Sequence, residues 1–106
     1  MKLHISSKGR AVSKRLRRFV ADRVEQATQR FSNRVNRVDV SVTNSESVID
    51  QECRVVLSVK GRKDIVATGT SENIMAAIAE AVDRAKRGLT KTLDRSRRRR
   101  ASPHVF

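Results

Sequence analysis

The stretch RVDVSVTN, residues 37–44, puts valine at every second position, Val38, Val40 and Val42, with Asp39, Ser41 and Thr43 between them. Successive side chains of an extended strand point to opposite faces, so this period of two describes a strand with one buried face and one wet face. The polar, acidic loop Asn44–Asp50 follows, and then a second alternation sets Cys53, Val55, Leu57 and Val59 against Arg54, Val56, Ser58 and Lys60. After the turn Gly61, Arg62, Lys63, Asp64, a last inward row is formed by Ile65, Ala67 and Gly69. Three alternating runs separated by turn residues predict an antiparallel meander.

Toward the N-terminus, Leu3 and Ile5 alternate with Lys2, His4 and Ser6, which predicts a further strand over about Met1–Ser6, closed by Ser6, Ser7, Lys8 and Gly9. From Ser13 the period becomes helical: Leu16, Phe19, Val20, Val24, Ala27 and Phe31 recur at three- and four-residue spacing. That pattern predicts a helix over Lys14–Phe31 with Ser13 as its N-cap, broken by Ser32 and Asn33. Toward the C-terminus, Ser71 and Asn73 are candidate caps for a second helix with the stripe Ile74, Ala77, Ile78, Ala81, Val82, Ala85, Leu89 and Leu93. Its length of about 24 residues corresponds to about 36 Å. Gly88 within it costs about 1 kcal/mol relative to alanine.

The element order is therefore β-α-β-β-β-α, an α+β fold with both helices on one face of a four-stranded sheet. The first two strands, joined through a helix, are expected to pair in parallel by a right-handed crossover. A chain of 106 residues is one domain by size, here residues 1–96, followed by a basic, mobile tail over residues 97–106 that contains Pro103.

Charge sets the functional class. The net charge is +13, and nine of the 24 Lys and Arg residues fall between Arg84 and Arg100 against one acid, Asp94. Such a concentration predicts a cationic helical bar for a polyanion. Arg84, Arg87, Lys91 and Arg95 follow spacings of three, four and four and stack on one side of the second helix, with Lys86 nearby. Only Asp83 and Asp94 are read as offsetting these cations. A second cluster, Lys8, Arg10, Lys14, Arg15, Arg17, Arg18 and Arg23, wraps the first helix too widely to be one face, and Lys8, Arg10 and Arg23 are its candidate contributors. Arginine dominates the C-terminal run, and its planar fork suits phosphate and unpaired bases, which favours RNA over an anionic membrane surface. Three Phe and no Trp or Tyr argue against a base-stacking platform. Recognition should rest on shape and phosphate.

Other classes find little support. The single cysteine, Cys53, leaves no internal disulfide and no cysteine-cluster metal site, and its place in a strand row reads as a buried small hydrophobe. His4 and His104 belong to no catalytic set, and no glycine-rich phosphate loop occurs, so neither an enzyme nor a bound cofactor or metal is expected. Nothing resembles a signal peptide or a membrane span, which predicts a soluble, unprocessed cytoplasmic protein, monomeric by default.

The β-α-β-β-β-α order, the run Leu16-Arg17-Arg18-Phe19-Val20, the valine-alternating strand, Ala76-Ala77-Ile78, and Asp83-Arg84-Ala85-Lys86-Arg87-Gly88-Leu89-Thr90-Lys91 together resemble the short ribosome hibernation promoting factors. These are related to ribosome-associated inhibitor A and were once called sigma-factor modulation proteins. The resemblance covers Met1 to about Arg95. It implies a double-stranded-RNA-binding-like fold seated on the small ribosomal subunit, in the channel for mRNA and the A- and P-site tRNAs. There it would contact ribosomal RNA, block translation and preserve idle ribosomes. Arg84, Arg87, Lys91 and Arg23 fall on basic positions of the family pattern. Ala79, Met75 and Leu93 depart from it, standing where the family commonly has an acid, an aromatic and a basic residue. Long members add a dimerising domain that these 106 residues do not contain, so by the resemblance the protein would support paired ribosomes only with a separate factor, or else hold single ribosomes silent. The competing readings are a general structured-RNA-binding or RNA-chaperone module, and a binder of anionic membranes or acidic proteins.

Overall fold

The computed structural model describes residues 1–9, 11–43 and 49–94 in full, and the backbone alone at Asn44 and over 95–101. Strand β2, Val35–Asn44, buries Val38, Val40 and Val42. It pairs antiparallel with β3, Gln51–Val59, which pairs antiparallel with β4, Ile65–Ser71. Strand β1, Lys2–Gly9, lies parallel to β2 with Leu3 opposite Val38 and Ile5 opposite Val40. The sheet order is β1-β2-β3-β4.

Two boundaries differ from expectation. Strand β1 runs past Ser6 to Gly9 because its ladder with Val42, Thr43 and Asn44 continues after side-chain burial has ended. Strand β2 begins at Val35, and a register shift between Val35 and Arg37 lets Val35 and Val38 both reach the core although they are three residues apart.

Helix α1, Lys14–Thr28, is capped as expected: the Ser13 hydroxyl accepts the Leu16 amide at 3.1 Å. It buries Leu16, Val20, Val24 and Thr28. The α-helix ends at Thr28, whose hydroxyl donates to the Val24 carbonyl at 2.8 Å, and Gln29–Phe31 tighten into a 3₁₀ turn that buries Phe31.

Helix α2, Ile74–Ala101, spans 28 residues. The Asn73 side-chain oxygen accepts the Met75 amide at 2.8 Å, and the Ser71 hydroxyl accepts the Asn73 amide at 3.2 Å, so both expected caps act in series. Ala77, Ile78, Ala81, Val82, Ala85, Leu89 and Leu93 are buried, and Leu93 is the last of them. The helical backbone then continues to Ala101, so the tail expected from residue 97 begins as helix, and residues 102–106 lie outside the described residues. One core cluster unites α1, the 3₁₀ turn and α2 with the inward rows of β2, β3 and β4, and Leu3 and Ile5 of β1 pack against it.

Helix α2 rides on β4 almost backbone to backbone. A Cβ placed on Gly69 would lie 2.4 Å from the Ala77 carbonyl oxygen and 2.7 Å from the Ala81 amide nitrogen. Gly88 is close too, its hypothetical Cβ 3.0 Å from a methyl of Ile65, so the intrinsic helix cost of glycine is spent on tight packing. This approach fixes which flank of α2 faces the sheet edge and which faces α1.

Candidate nucleic-acid interface

The cations of α2 lie on two flanks. Arg84 leans to the sheet edge, where it donates to the Thr68 carbonyl of β4 at 2.9 Å and pairs with Glu80 at 3.0 Å. Arg87 on the outer surface pairs with Asp83 at 2.7 Å. Lys91 is exposed and, among the described residues, has no ion pair. Lys86 occupies the opposite flank, facing α1, where it shares a cavity with Arg23. Arg95 extends α2 one turn beyond Lys91, and only its backbone is described.

The other candidates separate from this surface. Lys8 is exposed near the end of β1 and shares its alternation with Lys2, His4 and Ser6, opposite to inward-facing Leu3 and Ile5, so it belongs to the sheet face the helices leave open. Arg10 lies outside the described residues.

The charge reading needs one correction. Glu80 also offsets the cations of α2, through an i,i+4 pair with Arg84, and Asp94 is turned instead to Arg30 at 3.4 Å. Between Ile74 and Asp94, α2 therefore carries four cations, Arg84, Lys86, Arg87 and Lys91, against three acids, Glu80, Asp83 and Asp94. Most of the excess on this helix belongs to the five arginines of residues 95–100. Helix α1 with its 3₁₀ turn is richer than the 74–94 part of α2, with six cations against Asp22 and Glu25.

Arg30 was not singled out from the sequence. It sits over the Phe31 ring at 5.0 Å, bonds to Asp94 and lines the interhelical cleft. Its signal was available, since it follows Arg23 by seven residues, two helical turns on one face.

Burial, aided by the neighbouring Glu52 charge, pushes the Cys53 thiol up to about 12, which makes it a core side chain at neutral pH. His4 lies exposed opposite Asp39, and His104 is outside the described residues. Among the described residues, no group of three or more His, Cys, Asp or Glu could hold a metal ion, and no helix is long and apolar enough to cross a membrane.

Comparison with known proteins gives this surface a context. A ribosomal subunit interface protein from Coxiella burnetii superposes with a TM-score of 0.78 at 13% identity, covering 89% of this chain and 99% of that one. The N-terminal domain of Thermus thermophilus Protein Y superposes at 0.70 with 14% identity, covering 86% and 94%. At these identities the likeness establishes the α+β fold expected from the sequence. Among curated proteins, none matches the sequence. Residues 3–97 match the family described as Sigma 54 modulation protein / S30EA ribosomal protein, and by that match over most of its length the chain belongs to this ribosome-associated family.

Proposed function

We propose that this protein is a ribosome hibernation factor that binds the small ribosomal subunit in the mRNA and A- and P-site tRNA channel. By occupying that channel it blocks translation and preserves inactive ribosomes. The observation that carries this reading is family membership over residues 3–97, which takes in α1 and α2 as far as Arg97 with their cations. Affinity comes from counterion release as lysines and arginines meet ribosomal RNA phosphates, and specificity from the shape of the channel. Phe19 is half-buried and Phe31 buried, which fits recognition without base stacking.

In this reading residues 1–96 form the ribosome-binding domain and the arginine-rich segment beyond them adds sequence-independent attraction. The protein acts in the cytoplasm as a monomer, without cofactor or catalysis, and a separate dimerising factor would pair the ribosomes it holds.

Cosedimentation with small subunits at fixed, physiological salt tests it. Retention on empty subunits in the presence of excess free tRNA, with loss on subunits already loaded with mRNA and tRNA, is the expected result. Equal capture by free structured RNA would replace this reading with general RNA binding.

A further inference from the structure

Two cations from separate sequence clusters line one cavity. Arg23 of α1 and Lys86 of α2 border an open cavity of about 200 Å³ with Gln26, Ala27, Val82 and Asp83. A second cavity of about 370 Å³ shares Gln26, Ala27 and Lys86, and continues the cleft to Arg30 and Thr90.

The partners of these groups distinguish them. Asp83 is committed to Arg87 at 2.7 Å, and Arg30 to Asp94 at 3.4 Å. Among the described residues, Arg23 and Lys86 pair with no carboxylate. Arg23 rests over the Phe19 ring at 5.7 Å, a contact that orients the guanidinium without neutralising it. It is half-buried, so water screens its charge less than that of a fully exposed arginine. The cleft thus combines a planar fork and a neutral amide, Gln26, on the α1 wall with a point charge on the α2 wall.

We propose that this cleft is a phosphate seat, in which Arg23 and Lys86 hold the same phosphate of an RNA backbone from opposite walls. Gln26 adds a neutral hydrogen bond, and the strand runs on over Thr90 toward Arg30. This rests on the RNA-binding reading above and deepens it: the pair that shares a ligand is Arg23 with Lys86, whereas Arg84 and Arg87 are already held by acids. Arginine–phosphate and lysine–phosphate hydrogen bonds are charge-assisted and stronger than neutral ones. A free oligophosphate has the same chemistry and would compete for the seat.

A double-mutant cycle on the full chain tests it, with a short RNA hairpin and inorganic pyrophosphate as probes. Arg23→Gln and Lys86→Gln should each weaken hairpin binding about tenfold. The loss in the double variant should depart from the product of the single losses by at least about threefold, because the two side chains share one ligand. Lys63→Gln, in the β3–β4 turn, should leave binding unchanged. Arg23→Lys keeps the charge and should recover most of the affinity, which separates charge from packing against Phe19. Pyrophosphate should shift amide resonances around Gln26, Ala27 and Lys86, and the double variant should lose those shifts.

Multiplicative losses with no pyrophosphate response would overturn the seat even if subunit binding persists. Coupled losses on the hairpin in a protein that ignores ribosomes would keep the seat and discard the ribosomal reading. Pyrophosphate binding with hairpin affinity untouched by either variant would overturn the RNA assignment in favour of a free oligophosphate.

Discussion

Gly69 and Ala77 meet so closely that a Cβ on the glycine would lie 2.4 Å from the alanine's carbonyl oxygen. The obstacle is helix backbone, which cannot rotate away as a side chain can. Gly69→Ala must therefore push α2 off β4, and overpacking of this kind costs about 1 to 3 kcal/mol or more. For a domain of this size each kcal/mol lowers the melting temperature by about 4 to 8 °C. Thermal unfolding followed by circular dichroism should show a drop of about 10 °C or more; an unchanged melting curve would mean that the helix does not sit this close.

The exposed ion pairs of α2 lead to an opposite expectation for the fold. Surface pairs such as Arg84–Glu80 and Arg87–Asp83 contribute about 0 to 1 kcal/mol each. Replacing Arg84, Arg87 and Lys91 together by Glu removes three cations and adds three anions on surface that packs against nothing in the core. Circular dichroism should stay native while cosedimentation with small subunits is lost. Native fold with undiminished binding would remove these three residues from the interface.

Much of this architecture is legible because one-sided burial imposes a period on the sequence. The valines of β2 and the stripe from Ala77 to Leu93 are consequences of that geometry. The bulge that turns Val35 inward breaks the period of two, and the ladder that carries β1 on to Gly9 is made of backbone, so neither is written in side chains. The site was legible in composition and less so in arrangement. Spacing alone stacked Arg84 with Lys91, but the flank taken by Lys86, and its meeting with Arg23, depend on how α1 lies against α2. The i,i+4 spacing of Glu80 and Arg84 was open to reading, and it explains why a dense run of cations includes a neutralised member.

Cys53 provides a test of the core that does not involve RNA. Its thiol is raised from 9.0 to about 12, chiefly by burial, so the folded protein holds the proton more tightly than the unfolded chain. That contribution is fully present below about pH 9 and is lost as pH rises through the folded value, so stability should fall with pH above about 9 and Cys53→Ala should flatten that limb. A thiol reagent at pH 8 should leave the native protein unlabelled and react at once in denaturant. Rapid native labelling would contradict the burial.

Removal of the arginine-rich end separates its electrostatic role from the fold. Leu93 is the last buried residue of α2 among the described residues, so a chain ending at Asp94 keeps the described core, the Arg30–Asp94 bond and the interhelical cleft. A cation in the last turn of a helix gains about 0.3 to 1 kcal/mol from its dipole, and neighbouring like charges offset this, so the melting temperature should move little. RNA affinity behaves differently. Each phosphate contact contributes about 0.7 to 0.9 to the slope of log K against log salt, so losing the five arginines of residues 95–100, each on one phosphate, should flatten that slope by about 3.5 to 4.5. Measured on small subunits across a salt series, an unchanged slope would show that the end of α2 makes no phosphate contact. A flattened slope with the tRNA competition pattern retained would assign it attraction and leave recognition to residues 1–94.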